Sequence, residues 1–583
     1  MKPGDWVRSI RATEEQLFLI LTLVIGAIVG LVIVAFIVIT ERLGHHLYPE
    51  HGLAVWRLIT PIAGALVSGY LLYRYFPEAR GSGIPQTKTA LFAGRGKISF
   101  RTVIGRFVCS SITLASGIAL GREGPSVHLG AGIASVLARW FGLSEEKIKS
   151  LLPVGAAAAL AAAFNTPIAA VLFSLEEVMG DLHAPLLGSV VLSSATSWIV
   201  LHLLLGDEPL FHVPAYHLVH PIEFVNYAIL GVIGGFVSVG FVRLLLWIRA
   251  QFLKFPIRTL WLQPSAGGLI VGILGWFVPA VLGVGYFYVN DVLNGRMAME
   301  LMALLVVLKV VATASSYSSG NAGGIFGPSL FIGAMLGGAF GSVIHQVMPQ
   351  YTAESGAYAL VGMGVAFAGI VRVPLTSVIM IFEMTRDYTI IVPLMISNLV
   401  SFYISYRLQR TPIYEALAEQ VGIHLPSAHA RQHGAHLRVH TAMHAVTVCL
   451  QASMSAEDAL KEITGKSETI WPLFEGDRFV RMISTSELEK YASEKINTLK
   501  SPTRSSRFPH VHPDHTLDVA LQRMGTSGLK TLPVVSRSDI HRLEGIVAIE
   551  DVMKAYGLSG SSVWLAPPTQ SASVDRSKST PSR

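Results

Sequence analysis

Charge is scarce in this chain. Asp, Glu, Lys and Arg make up 14% of its 583 residues, against 51% apolar residues. A soluble protein carries about 25% charge, so the composition identifies an integral membrane protein. The charges gather after residue 410, which marks a soluble tail. Cysteine is scarcer still. Cys109 lies in apolar sequence and Cys449 in the tail, which excludes a disulfide framework and a thiolate metal site. No His-Glu-x-x-His, phosphate loop or pair of aspartates in an apolar run occurs, so enzyme chemistry lacks its usual groups. A divalent-cation site wants several carboxylates, yet the apolar segments offer mainly Glu123, Glu176, Glu177 and Glu383. A membrane enzyme and a cation transporter are therefore the weaker readings, and no metal site is expected. There is no cleavable signal peptide, because the apolar run 17–39 is too long for one and no small-residue cleavage site follows it. The net charge of +7 reads as loop Lys and Arg facing the cytoplasm, not as nucleic-acid binding.

What the chain has is apolar length, cut by 54 glycines and 29 prolines. Segments 16–40 and 55–75 are long enough to cross a bilayer. A breaker cluster at Gly81-Ser82-Gly83-Ile84-Pro85-Gln86 is followed by Lys88, Arg95, Lys97, Arg101 and Arg106. Further apolar segments lie at 104–120, 126–141, 151–164, 168–179, 187–205, 224–253, 264–282, 299–314, 330–347, 357–370, 375–382 and 390–408. Many are too short to span straight. Broken segments in corresponding halves point to a transport site built from helix ends.

The halves do correspond. Gly124-Pro125-Ser126 and Gly130-Ala131 return as Gly327-Pro328-Ser329 and Gly333-Ala334, and Gly121 matches Gly324. Gly155, Ala159, Pro167, Val171 and Glu176 match Gly362, Ala366, Pro374, Val378 and Glu383. Two ordered sets at nearly one offset read as a duplicated membrane unit, roughly 15–205 and 222–418. In Gly121-Arg122-Glu123-Gly124-Pro125, one carboxylate sits among glycines at a helix start, with apolar sequence on both sides. A charge in that setting is a functional candidate by default. Proline is tolerated in a first helical turn, and free N–H groups there attract anions. The bland alternative is that Glu123 caps its own helix.

The tail has its own order. Residues 421–440 form a His-rich linker, and histidines 424, 429, 433, 436, 440 and 444 read as solvated. Residues 441–558 repeat helix, strand, strand, helix: Ala456–Ile463, 470–474, 479–484 and 486–492, then 517–524, 531–535, 545–548 and 550–556. Residues 559–583 read as a disordered tail.

Gly81-Ser82-Gly83-Ile84-Pro85, Gly121-Arg122-Glu123-Gly124-Pro125 and Gly324-Ile325-Phe326-Gly327-Pro328, in that order, resemble the CLC family of chloride channels and proton-coupled chloride exchangers. The resemblance covers roughly residues 10–420, within a membrane domain set at 1–420. It implies an α-helical polytopic fold, an inverted repeat of tilted, broken helices, in the cell membrane. It also implies a homodimer in lipid with one pathway per subunit. The tail resembles a cytoplasmic α/β pair of CBS domains. By the resemblance, Ser82, the Ile325 and Phe326 N–H groups and Tyr414 would hold chloride. Glu123 would be the protonatable gate, supported by Gly121, Arg122, Gly124 and Pro125. Ser82 stands where nitrate-selective members tend to have proline, so chloride is the expected anion. Glu177 matches the internal proton-transfer glutamate of exchangers, and Glu176 a buried structural or water-organising one. Chloride/proton antiport is the favoured reading, with a passive voltage- or pH-gated chloride channel of the same fold as the alternative. No cofactor is required. CBS pairs imply adenine-nucleotide regulation, but Glu487 follows Ser484 where aspartate is usual, and Ala548 replaces the hydroxyl residue before Asp551.

Overall fold

The structure, a computed structural model, describes residues 14–47, 54–423 and 437–555, except 93, 183–185, 208, 215, 217, 447, 465, 467–469, 495–497 and 500–507. The tail 559–583 and His424, His429, His433 and His436 lie outside the described residues. The chain divides into two compact units, Met1–Leu425 and Pro426–Arg583.

The first unit is helical. Its first half runs through α1 (Glu14–Leu47), α2 (Ala54–Arg74), α3 (Ile84–Phe92), α4 (Phe100–Ala115), α5 (Glu123–Trp140), α6 (Glu145–Phe164), α7 (Pro167–Phe173) and α8 (Leu187–Leu205). Its second half runs through α9 (Glu223–Phe252), α10 (Gln263–Phe277), α11 (Tyr286–Leu293), α12 (Met299–Ser318), α13 (Phe326–Val347), α14 (Ser355–Val371), α15 (Pro374–Thr385) and α16 (Ile391–Leu408), followed by α17 (Ile413–Glu419). Among the described residues, eight helices are long and apolar enough to cross a membrane. Each helix of the first half has its counterpart eight places later, so the repeat read from a few motif residues extends over α1 to α16.

The repeat is one of packing as well as order. A Cβ on Gly130 would overlap the Gly155 carbonyl oxygen, and one on Gly333 would overlap that of Gly362. These glycines let α5 press on α6 and α13 on α14. Both α6 and α14 end on a left-handed residue, Asn165 at φ 60° and Arg372 at φ 70°. One residue then separates each end from Pro167 or Pro374, which opens the next helix. The short helices that follow have exchanged caps. Glu383, at the end of α15, accepts the Ile168 and Ala169 N–H groups of α7 at 3.0 and 2.6 Å. Glu176, after α7, accepts the Leu375 and Thr376 N–H groups of α15 at 3.4 and 2.8 Å. Each carboxylate thus satisfies orphan donors in the other half and meets the positive end of its dipole.

The structure departs from the apolar pattern of the sequence in three elements. The breaker cluster after Ser82 opens the helix α3, and α11 forms where no apolar run is evident. The segment 168–179 becomes α7 and a π-helical turn, Ser174–Met179. Lys88 and Arg106, two of the cations that follow the breaker cluster, are buried.

In the second unit, β1 (Leu450–Gln451), α18 (Ala456–Ile463), β2 (Ile470–Glu475), β3 (Arg478–Ser484) and α19 (Thr485–Ser493) share one core. β1 pairs parallel and β3 antiparallel to β2. A second core holds α20 (Leu517–Ser527), the antiparallel pair β4 (Thr531–Val535) and β5 (Leu543–Ala548), and α21 (Ile549–Ala555). Residues 437–440, assigned to the linker by sequence, belong to this second core. Val439 is fully buried there, and its N–H donates to His515 O at 2.8 Å. His440 donates its N–H to Pro513 O at 3.0 Å, and His444 exchanges backbone hydrogen bonds with Ile546. Periodicity over four residues is too short to show this pairing.

Glu383→Ala is expected to cost about 1 kcal/mol, read as a lower thermal midpoint in detergent. Glu383→Gln, which keeps an acceptor, is expected to lose less. An unchanged midpoint in the alanine variant would remove the cap from the fold's supports.

Candidate functional site

The site grows from one contact between the halves. Gly121 donates its N–H to Gly324 O at 2.7 Å, and Gly324 returns one to Gly121 O at 2.8 Å, an antiparallel bridge. Repeat-equivalent residues therefore meet while running in opposite directions, as inverted copies do. Immediately after the bridge the chain enters α5 on one side and α13 on the other. Close approach is what the glycines provide. A Cβ on Gly324 would lie 3.0 Å from Gly124 N, and one on Gly124 would lie 2.8 Å from Ser82 O.

Glu123 is the first residue of α5 and is fully buried. Its carboxylate does not cap its own helix. It accepts the N–H of Gly327, in the first turn of α13, at 3.2 Å. It also accepts the phenol O–H of Tyr286. The residue equivalent to Glu123 in the second half is Phe326, so one carboxylate serves a site built by two helix starts. Phe326 is held by the rings of Phe164, Phe173 and Phe367, with centroids at 4.9, 5.4 and 4.1 Å. Its N–H belongs to the first turn, whose donors have no carbonyl partner within the helix. Ile325 is fully buried beside it.

Ser82 and Tyr414 share a telling property. Ser82 Oγ and Tyr414 Oη are buried, and neither has a hydrogen-bond partner among the described residues. A buried hydroxyl without a partner costs about 1–3 kcal/mol, so such a pair fits donors to an anion. Tyr414 lies within electrostatic reach of Glu177, Tyr317 and Glu123. Behind Ser82, the buried guanidinium of Arg106 donates to Gly81 O and, at 3.2 Å, to His128 Nδ1. Arg122 points the other way. It pairs with Glu41 at 2.8 Å and lies 5.7 Å from the centre of the Tyr286 ring. Gly121, Gly124 and Pro125 shape the contact.

Glu176 and Glu177 part company, as adjacent residues on a helical turn must. Glu176 caps α15. Glu177 turns inward from the π-helical turn and pairs with Lys88 Nζ of α3 at 2.8 Å. Lys88 also lies 3.7 Å from Glu415, the residue after Tyr414. All three side chains are under 10% exposed.

Sequence reasoning missed Tyr286, Lys88 and Glu415. Tyr286 follows Gly283-Val284-Gly285 in a stretch without an apolar run. Its loop is fixed by Lys309 Nζ, which donates to Val281 O and Gly283 O at 3.0 and 2.7 Å. Lys309, a lysine inside the apolar stretch 299–314, was the signal available.

In the second unit, the two acids weighed for nucleotide binding, Glu487 and Asp551, are both engaged within the protein. Glu487 pairs with Arg481 at 2.8 Å. Asp551 accepts the Ala548 N–H at 3.0 Å and lies 3.1 Å from His444 Nδ1. Among the described residues no group of three metal-ligating side chains occurs.

Residues 63–406 match the family described as voltage gated chloride channel, and residues 504–558 match the CBS domain. The chain is 35% identical over 433 residues to a Salmonella paratyphi A protein named H(+)/Cl(-) exchange transporter ClcA, covering 72% of this chain and 92% of the relative. A solved slow cyanobacterial Cl-/H+ antiporter superposes with TM-score 0.64 at 27% identity, over 69% of this chain and 97% of the other. A eukaryotic CLC transporter superposes with TM-score 0.65 at 21% identity, over 92% of this chain and 97% of the other, and shares its fold.

Gly124→Ala is expected to cost about 1–3 kcal/mol through overpacking against Ser82 and Gly324. Thermal unfolding in detergent reads this as a lowered midpoint. A wild-type midpoint would show that the helix starts have room to separate.

Proposed function

Because the chain belongs to the voltage gated chloride channel (CLC) family, we propose that it exchanges chloride for protons across a membrane, with Glu123 as the protonatable gate. It is a multi-pass membrane protein with a C-terminal CBS region. The observation that carries the gate assignment is the docking of the Glu123 carboxylate on the Gly327 N–H and the Tyr286 phenol.

The chemistry follows from that contact. Ionised, Glu123 is the chain's own anion at the start of α13, where the dipole and free N–H groups favour negative charge. Protonated, it loses that attraction and one acceptor position. It then leaves the helix start to chloride, which takes the N–H groups of Ile325 and Phe326. Ser82 and Tyr414 donate their hydroxyls beside them. Neutral donors suit turnover, since binding must be firm enough to enter and weak enough to leave. One proton uptake therefore both clears the anion's place and carries a proton. Glu177 passes protons to and from the side remote from Glu123, and Tyr414 lies within electrostatic reach of both carboxylates.

Two copies of the chain, each with its own pathway, form the assembly that the family resemblance implies. The CBS pair lies in the cytoplasm and serves a structural role. The engagement of Glu487 and Asp551 within the protein supports this over adenine-nucleotide binding, and ATP calorimetry is the direct check. The task is transport, not covalent catalysis.

Purified protein in liposomes under a chloride gradient is expected to drive protons uphill. Chloride flux without uphill proton movement would return the passive channel reading. Glu123→Gln is expected to abolish proton coupling while chloride still flows, and intact pumping would sink the gate. Glu177→Gln is expected to stop proton transport and spare chloride binding, and unchanged coupling would take Glu177 out of the pathway.

A further inference from the structure

Lys88 is a buried ammonium between two buried carboxylates. Its Nζ lies 2.8 Å from Glu177 and 3.7 Å from Glu415, and the three side chains are 3%, 8% and 9% exposed. They come from three separate elements: α3, the π-helical turn and α17. One positive charge against two negative ones leaves the cluster one charge short of neutral. A net charge held away from water is expensive. Binding one proton removes it, and releasing that proton restores it.

We propose that the proton station opposite Glu123 is this pair of carboxylates: Glu415 holds the transported proton jointly with Glu177, and Lys88 is the positioning residue that keeps the pair at one exchangeable proton. The proton arrives from hydronium, leaving water. A carboxylate oxygen becomes O–H, and release reverses the step with no change of oxidation state. Glu415 directly follows Tyr414, so the same short helix carries a proton-holding group and a candidate chloride donor.

The surrounding charges leave this role open. Glu176, on the same turn as Glu177, is engaged with the start of α15. Tyr414 adds a neutral phenol. From α14, Arg372 reaches Glu415 electrostatically. Its guanidinium donates to the carbonyls of Ser405, Gln409 and Arg410 and makes no ion pair with Glu415. Lys88 is the only cation at ion-pair distance from either carboxylate among the described residues.

The inference rests on the exchange reading, and the experiment separates the two. The full chain, Glu415→Gln and Lys88→Met are reconstituted, and proton-coupled flux is followed against pH. If the unaltered chain moves chloride without protons, the exchange reading falls and this inference with it. If the unaltered chain couples, the two variants decide. Removing the Glu415 charge weakens proton uptake by Glu177, so the Glu415→Gln profile is expected to move about one pH unit acid. Removing the ammonium strengthens uptake, so the Lys88→Met profile is expected to move about one unit alkaline. Chloride binding by calorimetry is expected to stay unchanged in both. Should Lys88→Met fail to fold, the isosteric Glu415→Gln decides alone. An unmoved profile, an alkaline shift, or loss of chloride and proton flux together in Glu415→Gln overturns the proposal.

Discussion

Two helix starts from opposite halves of the chain are pressed together until only backbone separates them. The bridge between Gly121 and Gly324 fixes the distance, and the glycines at 124 and 324 allow it. A helix start is a cluster of unpaired N–H groups at a positive dipole end. Joining two of them concentrates that demand for negative charge in a buried place. The demand is met from within by Glu123, which crosses from the start of its own helix to that of the other half. An anion with no covalent tie to the chain would meet the same donors, and the gate proposed for Glu123 rests on that competition.

The rest of the membrane unit keeps those starts in place. The rings around Phe326 hold one of them. The glycine contacts between α5 and α6 and between α13 and α14 set how the following helices cross. The exchanged caps of Glu176 and Glu383 bind the halves a second time with the same logic: a carboxylate from one half on the donors of the other. Symmetry is kept at the exchanged caps and broken at the site proposed for the ions. Glu123 has Phe326 as its counterpart, and the cluster of Lys88, Glu177 and Glu415 draws on α17, which stands outside the repeat.

Buried cations serve this arrangement by positioning backbone and carboxylates. Arg106 holds the carbonyl of Gly81 and the ring of His128 behind Ser82. Lys309 holds the loop that carries Tyr286, with its ammonium 4.5 Å from the centre of the Phe331 ring. Each ammonium or guanidinium is matched to carbonyls, a ring or a carboxylate, which is how charge is kept tolerable away from water.

Much of this was legible in the residues. Apolar length with few charges marks a membrane protein, two echoed Gly-Pro starts mark a duplication, and alternating short elements after residue 450 mark the soluble pair. Glycine, proline and a lone carboxylate carry their meaning locally, because each is costly anywhere that does not need it. Partnership is another matter. That Glu123 caps α13, that Tyr286 holds Glu123, and that Lys88 joins Glu177 to Glu415 depend on residues 89 to 327 positions apart. The sequence by itself determined which groups would need partners. Only the tertiary structure decided which ones they met, because a buried charge or an orphan N–H specifies the kind of neighbour it requires and nothing about where along the chain that neighbour lies.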